Sequence, residues 1–344
     1  MHIIYSPVHH KHATAGLTIH GEAYGEIPAR AEALLAAVQA AGLGAVAEPG
    51  DFGLAPLLAV HPPEYLEFLR TIFAASQPFR HAGARFLADT FASRWGRRRS
   101  PHPWAQIGTY CFDIEAPFLE GTWEAAYWSA QCAVTAAETV RAGARSAYAL
   151  CRPPGHHALT DQAGGFCYLN NAAIAARYLQ TQAGGARVAI LDIDYHHGNG
   201  TQEIFYADPT VLYVSLHGHP DEEYPFFWGA AEERGAAEGA GYNLNLPLPK
   251  GADDAAYLAA LETGGAAVRA FAPRYLILSL GLDSAAGDPS ALGGGFAVSP
   301  AGFQAIGRRL AALGLPTVIV QEGGYRLETL GASAVAVLAA FAGK

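Results

Sequence analysis

From residue 146 onward, short apolar runs alternate with longer stretches of helical periodicity. The runs 146–151, 188–193, 211–216, 275–280 and 317–321 have the length of buried strands. Between and after them, 170–182, 255–271, 300–313 and 329–342 read as helices. Strands alternating with helices predict βαβ units, a mainly parallel sheet and an α/β fold. The first part of the chain is sparser, with a short strand at 2–5 and a helix from Pro28 to Ala41 that puts Leu34, Leu35 and Val38 on one face before Gly42. A second helix, Pro62 to Phe73, carries Tyr65, Leu66, Phe68 and Leu69, and a long Ala-rich helix runs from Thr122 to Ala142. Residues 76–106 show no period. Pro78, Pro101, Pro103, several arginines and several aromatics mark them as a long functional or interface loop. With no repeat, low-complexity tail or linker, the chain reads as one domain over 1–344.

Composition narrows the class. Of 344 residues, 51% are hydrophobic and 15% charged, which suits a thick-cored enzyme and argues against disorder. A net charge of −9 disfavours nucleic acid as a partner and favours cationic ligands. The basic cluster Arg97-Arg98-Arg99, beside Trp95 and Trp104, reads as a loop or subunit contact. Cys111, Cys132, Cys151 and Cys167 form no CxxC pair, as expected of reduced thiols in a cytoplasmic protein. The opening Met1-His2-Ile3-Ile4-Tyr5 does not resemble a signal peptide, and no apolar run approaches the roughly 20 residues of a spanning helix, so no membrane association is expected. The cluster His9, His10, His12 and His20 lacks the carboxylate or cysteine company of a metal site.

The chemistry gathers after the strands, where parallel sheets bind ligands. Beyond Val188–Leu191 come Asp192, Asp194 and His196, which an extended chain directs to one side, an arrangement explained by a cation between them. The other strand ends supply Arg152-Pro153-Pro154-Gly155-His156-His157, Ser215-Leu216-His217-Gly218, Gly281-Leu282-Asp283-Ser284 and Glu322-Gly323-Gly324-Tyr325. Asp194, His196 and Asp283 make an oxygen-rich three-ligand site with open positions. His156 and His157 supply a general base and an electrostatic partner, Asp192 accepts the N–H of one histidine, and Asn199 orients the other without adding charge. Tyr325 is placed to donate its hydroxyl to an oxyanion. Metal, water, base and oxyanion donor together describe amide hydrolysis.

These motifs resemble the histone deacetylase family. The residues concerned are Pro153–Ala158, Gly165–Asn171, Asp192–Thr201, Val214–His217, Gly281–Asp283 and Glu322–Tyr325, in matching order and spacing from about residue 146 to 325. Gln106-Ile107-Gly108, Tyr110-Cys111 and Gly121–Ala126 look most like the bacterial acetylpolyamine amidohydrolase branch. The resemblance implies an arginase/deacetylase fold, with a central parallel sheet of about eight strands flanked by helices. It implies Zn2+ on Asp194, His196 and Asp283, a donor set that also accepts Fe2+ or Co2+. His157 would then activate the water, with His156 as partner and Tyr325 polarising the acetyl carbonyl. A structural K+ would take the side chains of Asp192, Asp194 and Ser215 with the carbonyls of His196 and Leu216. Phe166 would form one tunnel wall and Tyr224 the other, with Phe226 or Phe227 as alternatives. Segment 76–106 matches a loop that closes the site in a homodimer or higher homo-oligomer. Trp104 stands where the branch carries an acidic residue, and Glu115 keeps a second acidic position, which puts shorter substrates such as acetylputrescine or acetylcadaverine, or another small acetamide, on an equal footing with long polyamines. The competing readings are a protein acetyl-lysine deacetylase and an inactive binder of acetylated ligands. A two-manganese ureohydrolase needs a second set of ligands that Tyr195, Asn199 and Ser284 do not provide.

Overall fold

The computed structural model describes residues 1–19, 21–81, 84–93 and 100–343; His20, Trp95 and the Arg97–Arg99 cluster lie outside the described residues. An eight-stranded sheet takes the order β4 (Ala45–Ala47), β1 (His2–Ile4), β5 (Ser146–Ala149), β10 (Thr317–Gln321), β9 (Tyr275–Leu280), β6 (Val188–Asp192), β7 (Val211–Gly218), β8 (Asn243–Leu248). Every pairing in it is parallel. A small antiparallel hairpin, β2 (Thr18–Ile19) with β3 (Glu22–Ala23), stands apart.

Both faces are covered, which is why the inner strands read as unbroken apolar runs. On β6, Val188 and Ile190 join one core cluster while Ala189 and Leu191 join the other. Helices α3 (Pro63–Ala75), α5 (Thr122–Arg141) and α6 (Asn171–Gln182) build the first cluster. Helices α1 (Pro28–Ala40), α8 (Asp254–Phe271), α9 (Pro300–Ala311) and α10 (Leu327–Phe341) build the second. No helix among the described residues is long and apolar enough to cross a membrane.

The apolar pattern predicts six of the eight strands. β4 and β8 are edge strands: β4 has three residues, none of them buried, and β8 interrupts its apolar residues with Asn243, Asn245 and Pro247, so neither stands out as a buried run. The described parts of segment 76–106, residues 76–81, 84–93 and 100–106, hold more structure than the lack of period suggests. Phe86 is buried in a bridge to Phe118, and a helix α4 (Pro103–Tyr110) starts inside the segment. Its eight residues complete barely two turns, too few for a period to show. A four-residue helix α2 (Ala55–Leu58) and a seven-residue helix α7 (Asn199–Phe205) escape sequence reading for the same reason.

Candidate active site

Five adjacent strands, β5, β10, β9, β6 and β7, carry the predicted residues at their carboxyl ends. At the end of β6, the three residues expected on one face divide. Asp192 still belongs to the strand, opposite Ser215 and Ser279, and its Oδ2 faces His156 Nδ1 at 3.1 Å and accepts the Tyr213 hydroxyl at 3.0 Å. Past the strand the chain curls: the Asp194 N–H bonds Asp192 Oδ1 and the His196 N–H bonds Asp194 Oδ1. Asp194 and His196 thereby turn toward Asp283 at the end of β9, and ligand atoms of the three lie within 4.8 Å of one another.

These side chains are pinned. The Gly323 N–H reaches Asp194 Oδ2 at 2.8 Å, the Tyr195 N–H reaches Asp283 Oδ1 at 2.9 Å, and His196 Nδ1 stands 3.0 Å from Asp283 Oδ2. A Cβ on Gly281 would meet Asp194 Oδ2 at 2.2 Å, and one on Gly323 would meet Asp194 and Asp283 oxygens at 2.6 Å, so both glycines are required for close approach. Burial, then the neighbouring Asp194, pushes the Asp283 carboxyl up to about 7. Burial also acts to raise Asp194, but His156 and His196 outweigh it and hold that carboxyl low. Two buried carboxylates and an imidazole, converging in a pocket that admits no extra methyl group, fit the donor chemistry of a divalent cation.

The histidine pair lies beside this site, with ring centroids 4.0 Å apart. Burial disfavours charge on His156, but Asp194 and Asp192 overcome it and raise the pKa to about 10. Burial, followed by the charges of His156 and His196, holds His157 well below its ordinary value. The two rings are thus pushed in opposite directions, His156 toward the charged form and His157 toward the neutral one. Asn199, the first residue of α7, sets its Oδ1 2.8 Å from His157 Nδ1; with that oxygen as acceptor, Nδ1 carries the proton and Nε2 is the base. Glu322 Oε2 accepts the backbone N–H groups of Gly155 and His156 at 2.7 and 3.1 Å, clamping the turn that presents both rings.

A cavity of about 470 Å³ opens above His157 and His196. Tyr24, Phe166, Tyr224 and Tyr325 give it aromatic walls, and Glu22, Glu115 and Glu223 give it acidic positions. Phe166 adopts φ 68°, its ring edge-on to Tyr24 and Tyr325 at centroid distances of 4.8 and 5.5 Å. Tyr224 faces His157 at 5.0 Å and donates its hydroxyl to Asp113 Oδ2 at 2.6 Å; the same oxygen accepts the Gly165 N–H at 3.0 Å, so one carboxylate spaces both walls. Burial, then Asp113, lifts the Glu115 carboxyl to about 7. Under Tyr325 the Arg30 guanidinium lies 4.4 Å from the ring centre and donates to the carbonyls of Gly324 and Glu322.

Two predicted tunnel residues need correction. Phe227 is 88% exposed and does not line the cavity within this chain, where its neighbour Phe226 takes the rim position. Trp104 packs its ring on Phe86 at 4.6 Å against the core and does not line the cavity within this chain, because α4 turns that face inward. Sequence reading missed Tyr24, Arg30, Asp113, Glu223 and the anchoring part of Glu322. Only Glu322, sitting directly before Gly323-Gly324-Tyr325, carried a local signal.

The profile of the histone deacetylase domain matches residues 24–341. Acetylpolyamine amidohydrolase 1 of Pseudomonas aeruginosa is 46% identical over 345 residues, covering 99% of this chain and 98% of that protein. The acetylpolyamine amidohydrolase of Burkholderia pseudomallei is 50% identical over 310 residues, covering 90% and 89%. A crystal structure of acetylpolyamine aminohydrolase from Burkholderia pseudomallei superposes with a TM-score of 0.93 at 46% identity, covering 99% of this chain and 98% of that one.

Proposed function

Because the chain belongs to the histone deacetylase family, in its bacterial acetylpolyamine amidohydrolase branch, we propose that it deacetylates small N-acetylated amines through a Zn2+ ion on Asp194, His196 and Asp283. The observation that carries the reading is the convergence of those three donors within 4.8 Å, beside a buried histidine pair whose ring centroids lie 4.0 Å apart. An ion held there supplies Lewis acidity, which polarises an acyl carbonyl and acidifies water. His157 Nε2 takes the proton of the attacking water, and the His156 imidazolium faces the charge that develops. Tyr325 donates its hydroxyl to the oxyanion, and the proton held by the histidines passes to the departing amine.

The substrate class follows from the cavity. Its aromatic walls and acidic positions suit a slim chain bearing a distal ammonium. This supports acetylputrescine, acetylcadaverine or longer acetylpolyamines over a peptide. A structural K+ is assigned to Asp192, Asp194 and Ser215 side chains with the His196 and Leu216 carbonyls, supported by the register pairing of Asp192 with Ser215. Fe2+ or Co2+ in place of zinc, a homodimer closed by 76–106, and a cytoplasmic location complete the proposal. The test is acetate release from acetylputrescine in parallel with an acetyl-lysine peptide, with and without a strong chelator. Chelator-sensitive turnover of the amine is expected. Faster turnover of the peptide would overturn the substrate class, and undiminished rates after metal removal would overturn the mechanism.

A further inference from the structure

Tyr325 follows Gly323 and Gly324, the latter at φ +111°, so the chain leading into it has little stiffness of its own. It also precedes α10, whose N-cap residue Arg326 makes no side-chain cap bond. The first N–H groups of a helix need acceptors, and here the acceptor comes from a different loop. Asp288 Oδ2 takes the N–H of Tyr325 at 2.8 Å and of Arg326 at 3.1 Å. Its other oxygen, Oδ1, takes the N–H of Ser290 at 3.0 Å and the Ser290 hydroxyl at 2.8 Å. Arg326 closes the bridge by donating to the Ala286 carbonyl at 2.9 Å.

The loop on the far side of this carboxylate forms part of the cavity rim: Pro289, Ser290 and Leu292 line it. The near side is the hydroxyl-bearing tyrosine at its floor. Asp288 itself is 7% exposed and lines neither. A buried anion at the start of a 15-residue helix is further stabilised by the helix dipole, which makes the bridge firm.

We propose that Asp288 is a positioning residue that fixes Tyr325 in its donating place and couples it to the rim loop 288–292. The inference rests on the reading of Tyr325 as oxyanion donor. It makes the turnover number depend on a residue that touches neither substrate nor metal.

The test is a double-mutant cycle of Asp288→Ala with Tyr325→Phe, read as kcat and KM on acetylputrescine. Asp288→Ala is expected to lower kcat on the order of 10²-fold with KM nearly unchanged, as for a displaced catalytic group. Asp288→Asn keeps one acceptor oxygen and restores most of that loss, leaving about a tenfold deficit. In the Tyr325→Phe background, Asp288→Ala is expected to add less than about a twofold further loss, because no hydroxyl remains to be misplaced. Additive losses, a change confined to KM, or wild-type kcat in Asp288→Asn would overturn the proposal. If Asp288→Ala does not fold, the Asn variant completes the same cycle. Full activity of Tyr325→Phe alone would instead overturn the role given to the tyrosine, a distinct failure.

Discussion

The floor of the cavity and its mouth are built on different principles. On the floor, Asp192, Asp194, Asp283 and Glu322 are wholly or almost wholly buried, and each carboxylate is held by backbone N–H groups or neighbouring side chains. At the mouth, Phe226 and Leu292 are exposed at 45% and 51%. The floor grows out of strand ends whose positions the sheet fixes, whereas the mouth grows out of loops anchored at a few points such as Asp113, Glu223 and Asp288. Chemistry resides where the backbone cannot move, and selectivity where it can be redrawn without touching the core.

The sharpest way to break this contrast is to remove His157, the base of the proposed mechanism. His157→Ala is expected to lower kcat/KM by about 10³-fold or more with an unchanged melting temperature, checked by steady-state kinetics beside calorimetry. A smaller but still large effect is expected in stability beneath the floor. Glu26 is fully buried between Arg30 and Arg152, with its Oε1 3.1 Å from Arg30 Nη1 and 2.8 Å from Arg152 Nε. Glu26→Ala leaves two buried guanidinium groups without their carboxylate and should cost about 3–5 kcal/mol in denaturant unfolding.

At the mouth the effects shrink and change kind. Glu115→Gln is expected to raise KM about fivefold for an acetylated diamine and leave it unchanged for a neutral acetamide of equal length, the magnitude of a solvent-screened charge pair near 1 kcal/mol. Since burial lifts this carboxyl to about 7, lower pH protonates it and removes the attraction. KM for the cationic substrate should therefore rise from pH 8 to pH 6 in the wild type and rise less in Glu115→Gln. Phe227→Ser should change neither kcat/KM measurably nor stability by more than about 0.5 kcal/mol, as for an exposed side chain that contacts nothing essential. A Phe227→Ser effect as large as that of Glu115→Gln would erase the division between mouth and surface.

The same division governed what could be read in advance. The floor was legible because its residues follow apolar runs in short windows, and each window pairs a strand with ionisable groups beyond it. The eight-stranded parallel sheet followed from the family resemblance, while periodicity alone yielded its six inner strands. Tyr24, Arg30, Asp113 and Glu223 were not legible, since their places depend on packing between segments far apart in the chain. Arg30, for example, bonds Gly324 across 294 residues. Trp104 shows the complementary limit. Its spacing from Gln106-Ile107-Gly108 located it along the chain, but only the packing of α4 decides which way its ring turns.

The interleaved strand order has a kinetic consequence. Asp194 and His196 are two residues apart, yet Asp283 joins them across 89 and 87 residues, and the glycine bond that steadies Asp194 spans 129. Closing loops of that length comes late in assembly and slows it. The three donors therefore meet only after β9 has docked beside β6, and Asp194 is steadied only once β10 has docked beside β9, so an ion supplied to the unfolded chain would find two ligands and no site. On the proposed metal site, loading would follow folding, and a metal held with these donors would act as a lock on a finished sheet rather than a nucleus for building one.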